Sequence, residues 1–167
     1  MVNLKDGKRI WDQAKYTDPR FTKSVSKGAY RFTAVDAQYN VLRAHEIFGA
    51  HGDKWGWDLV STDVVEGVFI VCIKLWYIEE VGMDDEGAVC EARRECSPVF
   101  GAEGIVKIRR SGERVIDEDA PKKALTDALS KAFSYLGFSA DVFLGMFDNQ
   151  KYVDAMNKRF AKENAGE

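Results

Sequence analysis

The sequence predicts an α+β fold: an antiparallel three- to four-stranded β-meander packed against one long helix, with a preceding helix and a short C-terminal helix. Residues 67–78, GVFIVCIKLWYI, are nearly all β-branched, aromatic or otherwise apolar, which is typical of a strand covered on both faces. Residues 119–136 carry apolar side chains at helical spacing, which indicates an amphipathic helix with a broad apolar stripe. Strands joined by short turns, with one helix laid across them, form a β-β-β-α core.

The chain is expected to form a single domain with an extension at each end. Residues 1–34 are predicted to be a basic, irregular N-terminal arm with room for one short helix. Residues 35–149 are predicted to form the α+β core, and residues 150–167 a C-terminal helix and a frayed tail.

Clear start and stop signals define the two helices of the core. Asp36 is a favourable N-cap, and the apolar spacing after it predicts a helix that ends at Phe48, before Gly49. Asp119 is a favourable N-cap for the long helix, and Pro121 suits its first turn.

The strands of the predicted sheet lie between these helices. Residues 55–65, WGWDLVSTDVV, predict the first strand, and residues 88–100 predict a third strand that a proline interrupts. Residues 104–110, GIVKIRR, alternate between apolar and basic side chains. This alternation predicts a further strand with Lys107 and Arg109 on one face.

Charge is unevenly distributed along the chain, although the net charge is only −3. Residues 1–35 hold eight Lys and Arg against three Asp, whereas residues 79–91 hold six carboxylates and no Lys or Arg. These segments are either two solvated surfaces, or a basic arm for an anionic polymer and an acidic turn that points away from it.

Several kinds of chemistry find no support in the sequence. There is no GxGxxG or GxxxxGK[ST] phosphate-binding loop, and Ser, Cys and His are too scattered to predict a catalytic triad. His45 and His51 lack a cysteine at metal-ligand spacing. We therefore expect a protein that is not an enzyme and that has no cofactor and no metal-binding residues.

Membrane insertion and secretion are not expected either. No stretch approaches the roughly 20 consecutive apolar residues that a membrane-spanning helix needs. The first residues lack the apolar core of a signal peptide, and the three cysteines form no CxxC pair. The sequence therefore predicts a cytoplasmic protein with reduced thiols and no membrane partner.

Aromatic side chains are interleaved with the cations of the arm: Trp11, Tyr16, Phe21, Tyr30 and Phe32. A positive groove with rings beside it is typical of proteins that bind single-stranded nucleic acid without sequence preference. The same pattern also occurs where aromatic residues belong to the core beneath an amphipathic surface.

Three blocks of the chain carry a resemblance to a known family. ALTDALSKAFSYLG, NVLRAHEIFGAHGDKWGWDL and VFIVCIKLWY resemble, in order and spacing, the Rad-fifty-two-type single-strand annealing proteins. The similarity is closer to the small phage-encoded members, with LGFSADVFLG and FDNQKY following DAPKKALTDALSKA. It extends over roughly residues 25–155.

The resemblance implies ATP-independent binding of single-stranded DNA and annealing of complementary strands in homologous recombination. It further implies a homo-oligomeric ring whose groove is walled by the long helix and a neighbouring hairpin. Candidate partners are a host or phage single-strand binding protein or exonuclease, and the location would be the cytoplasm of an infected bacterial host. The alternatives are a DNA-binding recruiter module and a structural or regulatory oligomer without annealing activity.

The DNA contacts implied by the resemblance are only partly present in this chain. Of the family's four basic positions, one keeps a cation, Lys131, while the others correspond to Ser130, Ser134 and Tyr39. Other basic residues are expected to supplement them. The full predicted contact set is Lys27, Arg31, Tyr39, Arg43, Lys107, Arg109, Ser130, Lys131 and Ser134. Alternatively, Lys123, Asp127 and Lys131 form an i, i+4 ladder on a solvated helix face.

Overall fold

The computed structural model describes residues 8–166, except for the side chain of Lys27, and its architecture is α+β with antiparallel strands. The helices of this range are α1 (Arg9–Ala14), α2 (Ala37–Phe48), α3 (Ala120–Tyr135), α4 (Ala140–Phe143) and α5 (Gln150–Ala165). The strands are β1 (Thr22–Lys27), β2 (Tyr30–Val35), β3 (Trp55–Val65), β4 (Val68–Met83), β5 (Val89–Glu95), β6 (Val99–Gly104), β7 (Val106–Ile108) and β8 (Arg114–Ile116). Single 3-10 turns occur at Pro19–Phe21 and Met146–Asp148.

The described residues divide into two compact units. The first unit is built from the described parts of residues 1–47 and 134–167, and the second from Phe48–Phe133. The basic N-terminal segment and the C-terminal helix therefore belong to the same unit.

The second unit is a β-meander organised around the long strand β4. Strand β3 pairs with β4 from Trp55↔Tyr77 to Val65↔Val68. Strands β5 and β6 share the other edge of β4, with β5 on its C-terminal part and β6 on its N-terminal part. The chain steps from β5 to β6 at Pro98, which confirms the predicted interruption of the third strand, since proline cannot donate a ladder hydrogen bond.

The strand predicted over residues 104–110 does not join this sheet. The fourth strand of the sheet is β6, whereas β7 pairs with β8 in a separate two-stranded ribbon. Val106 and Ile108 of β7 are 40% and 73% exposed, so their alternation does not mark a buried face.

Helix α3 packs on the sheet through alanines more than through the larger side chains of its stripe. The centre of this contact is Val71, Ile73, Ala124 and Ala128. Leu125 and Leu129 are only partly buried against that centre, whereas Phe133 is 1% exposed. Short side chains allow the helix backbone to approach the strands closely.

The structure contains two helices of equal length, whereas the sequence predicts one long helix and a short C-terminal helix. Helix α3 and helix α5 each span 16 residues, so the C-terminal helix is not short. Asn149 caps α5, with its side-chain oxygen accepting from the Lys151 backbone N–H at 3.0 Å.

A buried carboxylate holds the first unit together. Asp141 is 3% exposed, and its two oxygens accept from the Thr17 backbone N–H (2.9 Å), the Thr17 hydroxyl (2.6 Å), the Tyr152 hydroxyl (2.9 Å) and the Val142 N–H (2.9 Å). These bonds tie the segment after α1 to α4 and α5, and they compensate for taking the carboxylate out of water.

The N-terminal segment is more regular than predicted. Helix α1 matches the one short helix expected there, whereas the antiparallel hairpin β1–β2 occurs where irregular chain was expected. The strands are joined by the two-residue loop Gly28-Ala29, and Gly28 has φ +62°, a conformation that tight hairpin loops require and glycine adopts without strain.

No helix within residues 8–166 has both the length and the apolar character that crossing a lipid bilayer would demand.

Candidate nucleic-acid interface

The hairpin β1–β2 sorts its residues onto two faces. Directly paired residues share a face, and Val25↔Phe32 and Lys23↔Ala34 are such pairs. The other face carries hydroxyl side chains beside Arg31, whose Nε donates to Ser24 Oγ at 2.9 Å. Lys27 ends β1 in register with Tyr30, but its side chain lies outside the described ones.

The charge of this hairpin is entirely positive. Residues 22–35 include three cations and no carboxylate. Lys23 and Arg31 are exposed, and neither forms an ion pair with any side chain that the structure describes. Because residues 22–35 contain no carboxylate to offset these charges, the two side chains are available to bind an anionic ligand.

The two predicted contacts on helix α2, Tyr39 and Arg43, form hydrogen bonds or ion pairs within the first unit. Tyr39 is 3% exposed, and its hydroxyl accepts from the Asp18 N–H at 3.1 Å and donates to the Tyr16 carbonyl at 3.4 Å. Burial raises the pKa of Tyr39 to about 12. Tyr39 is therefore a core residue, which removes it from the candidate contacts.

Arg43, which was predicted to replace a missing family cation, also binds to other groups of the protein. Its guanidinium forms an ion pair with Glu46, and its Nη2 donates to the Gln13 carbonyl oxygen at 2.7 Å. Its side chain is only 22% exposed. Arg43 thus joins α2 to the end of α1, and its charge is largely neutralised.

In the second unit, the two basic strand residues that were predicted as contacts pair with carboxylates. Lys107 and Lys123 both form ion pairs with Asp117, the Lys123 Nζ at 2.6 Å. Their hydrogen bonds, with that of Lys107 the larger cause, lower the pKa of Asp117 to about 2. Arg109 pairs with Glu113 at 3.0 Å. Neither Lys107 nor Arg109 presents an uncompensated charge.

The hydroxyls on the outer face of α3 are bonded to the helix itself. Ser130 Oγ donates to the Thr126 carbonyl at 2.8 Å, and Thr126 Oγ1 donates to the Lys122 carbonyl at 2.9 Å. Lys131 is exposed on this face, and Ser134 is partly buried in the first unit.

A shallow, open depression of about 530 Å³ lies along this face of α3. Its lining residues are Asp119, Lys122, Lys123, Thr126, Asp127 and Ser130. Two carboxylates thus face two ammonium groups, which leaves no net positive field for a phosphate. Lys123 pairs with Asp117 instead of with Asp127, so the first step of the proposed i, i+4 ladder is replaced by a longer-range pair.

Among the predicted contacts, Arg31 on the hairpin is exposed and forms no ion pair with a described side chain, whereas Tyr39 is buried and Arg43, Lys107 and Arg109 are paired with carboxylates. Lys27 and Arg31 are the contacts predicted on the hairpin. The exposed residues Lys23, Tyr30 and Phe32 of the same hairpin are absent from the predicted contact set. The Gly28-Ala29 pair is a local sequence signal of a two-residue turn, but the flanking residues alternate only weakly between apolar and polar.

No protein-family model matches this chain, and no curated protein shows significant similarity to it.

Proposed function

We propose that this chain binds single-stranded DNA without ATP and anneals complementary strands in homologous recombination, acting as a homo-oligomer. The observation that carries the proposal is the hairpin β1–β2, with three cations, no carboxylate and no ion pair at Lys23 or Arg31. The resemblance to single-strand annealing proteins supports the same function.

The hairpin is suited to hold a strand by its phosphates. Exposed Lys and Arg side chains bind phosphate oxygens irrespective of base sequence, and each contact releases condensed counterions. Arg31 is held by Ser24, so its guanidinium loses less conformational freedom when it binds a phosphate. Contacts to the phosphates leave the hydrogen-bonding edges of the bases available to a complementary strand.

Oligomer formation would add weak contacts from several hairpins along one strand. Strand β3 is an edge strand of the sheet and exposes Leu59, Val60, Val64 and Val65 by about half of each side chain. Edge strands with exposed apolar side chains are sites of strand addition between chains. We therefore place the contact between copies at the β3 edge.

The proposed function is tested by mixing the protein with two complementary oligonucleotides in the absence of ATP. Duplex formation is monitored by fluorescence. The wild-type chain should accelerate duplex formation, and Lys23→Ala with Arg31→Ala should lose most of this acceleration. The control is Lys122→Ala with Lys158→Ala, which removes the same charge from exposed helix positions elsewhere.

The salt dependence of strand binding gives an independent readout. Loss of the two hairpin cations should make the slope of log affinity against log salt shallower by about 1.4, since single strands contribute roughly 0.7 per phosphate contact. Strand binding without any annealing would favour the recruiter alternative. Absence of strand binding at low salt would refute the proposed function.

A further inference from the structure

Three of the five aromatic residues in the N-terminal segment are packed within the first unit. Trp11, Tyr16 and Phe21 are partly buried, and Phe21 stacks on Tyr39 with ring centroids 4.9 Å apart. These three rings have structural roles, so the interleaving of aromatics with cations does not by itself make them ligand contacts.

Tyr30 and Phe32 differ from the other three because their rings face solvent. They are 81% and 47% exposed, and neither makes a ring contact with another aromatic residue of the described range. Exposed aromatic rings forgo the hydrophobic stabilisation that burial would provide. A folded hairpin that leaves two rings uncovered can therefore gain binding energy from a ligand that covers them.

The spacing of the two rings suits a nucleobase. Residues two apart in a strand lie on one face, separated by about 6.8 Å at a rise of roughly 3.4 Å per residue. Successive bases in a strand stack at about 3.4 Å. At this backbone spacing, one base fits between the two side chains when their rings lie parallel, stacked on a ring at each side.

The surrounding charges favour a nucleic acid over an apolar protein segment. Lys23 lies on the same face as the rings, and Arg31 lies on the opposite face. An apolar partner that covered the rings would also take Lys23 out of water without a counter-charge, which is unfavourable. A strand of nucleic acid supplies both bases for the rings and phosphates for the cations.

We infer that Tyr30 and Phe32 stack on unpaired bases and make the hairpin selective for single-stranded over duplex DNA, an inference that rests on the proposed function of the hairpin. Bases within a duplex are already stacked and paired, so the rings cannot reach their faces without unstacking them. Base–aromatic stacking is sequence-tolerant, because every base has a π-face.

The test compares a fluorescent oligothymidylate with a strand of equal length made of abasic residues, which has the same phosphates and no bases. The wild-type chain should bind oligothymidylate more tightly than the abasic strand. Tyr30→Leu or Phe32→Leu should each weaken oligothymidylate binding by roughly 5- to 100-fold, the range expected from loss of one stacking contact. Binding to the abasic strand should change little.

Two further variants act as controls. Phe143→Leu makes the same substitution at a ring that is 60% exposed outside the hairpin, and should bind both strands like the wild type. Tyr30→Trp should retain binding and show fluorescence quenching with oligothymidylate but not with the abasic strand. Far-UV circular dichroism checks that each variant is folded.

The outcomes separate this inference from the proposed function. Equal wild-type affinity for both strands would overturn the stacking role while the phosphate contacts stand. Binding of neither strand would overturn both. Ring-dependent binding to phosphatidylserine vesicles, with no binding of oligonucleotides, would assign the rings to a lipid contact and overturn the inference.

Discussion

The substitution Gly101→Ala tests how closely helix α3 approaches strand β6. A Cβ built at Gly101 lies 2.5 Å from the Ala128 backbone nitrogen, and closer still to the Ala124 carbonyl oxygen. Ordinary contacts of a Cβ begin near 3.4 Å, so relieving both overlaps would require the helix to move by more than about 1 Å. The obstructing atoms belong to the backbone, and no side-chain rotation can relieve the overlap.

This overlap translates into a measurable loss of stability. Overpacking of a well-packed core costs about 1–3 kcal/mol, and a clash with helix backbone belongs to the upper half of that range. For a chain of this length, 2–3 kcal/mol corresponds to a decrease in Tm of about 5–10 °C. Differential scanning calorimetry and urea unfolding would both measure the change.

The matched control is Gly104→Ala in the same strand. At Gly104 the nearest atom to a built Cβ is the Val106 carbonyl oxygen, at 3.9 Å. This variant should be unchanged or more stable by up to about 1 kcal/mol, because alanine restricts the unfolded chain. Adding Ala128→Gly to Gly101→Ala should give little rescue, since the backbone atoms remain in place. Equal melting of the two single variants would refute the described packing of α3 on β6.

Four further results are expected. Phe133→Ala should lower the free energy of unfolding, measured by urea titration, by about 3–5 kcal/mol. Leu129→Ala, at a partly buried position, should lower it less, and equal values would contradict the burial described. Asp141→Ala should cost about 3–5 kcal/mol by the same measurement, because four donors lose their acceptor; a change below 1 kcal/mol would show that water replaces it. The pKa of Asp117 is lowered from 3.8 to about 2, so its contribution to stability is complete above pH 4 and is lost as pH falls towards 2; Asp117→Asn should flatten acid unfolding in that window, and an unchanged curve would contradict the pairing. Light scattering should show an oligomer of the wild type at micromolar concentration, and Val64→Lys should dissociate this oligomer. A monomeric wild type would exclude the proposed contact between copies at the β3 edge.

Local sequence signals determined much of the fold. Asp36 caps helix α2, accepting from the Gln38 N–H at 2.9 Å, and the helix ends at Phe48 as its periodicity predicts. The apolar run around residues 67–78 forms the central strand β4. These predictions succeed because capping and hydrophobic periodicity depend on residues within a few positions of one another.

The hairpin β1–β2 shows where local signals were present but insufficient. Gly28-Ala29 is a recognisable two-residue loop, yet the flanking strands are polar and bury little surface. Hydrophobic alternation, the usual sign of a strand, is therefore weak. The regular pairing of Thr22–Lys27 with Tyr30–Val35 is apparent only from the backbone ladder.

Which candidate residues remain available to a ligand was decided by the tertiary structure alone. In sequence, Tyr39, Lys107 and Arg31 are equally plausible contacts, but folding buries the first, pairs the second with Asp117 and leaves the third without an ion-pair partner among the described side chains. The sequence by itself determined residue types, helix ends and the central strand, through interactions between near neighbours. Burial and ion pairing depend on which distant segments meet, and that follows from the packing of the whole chain.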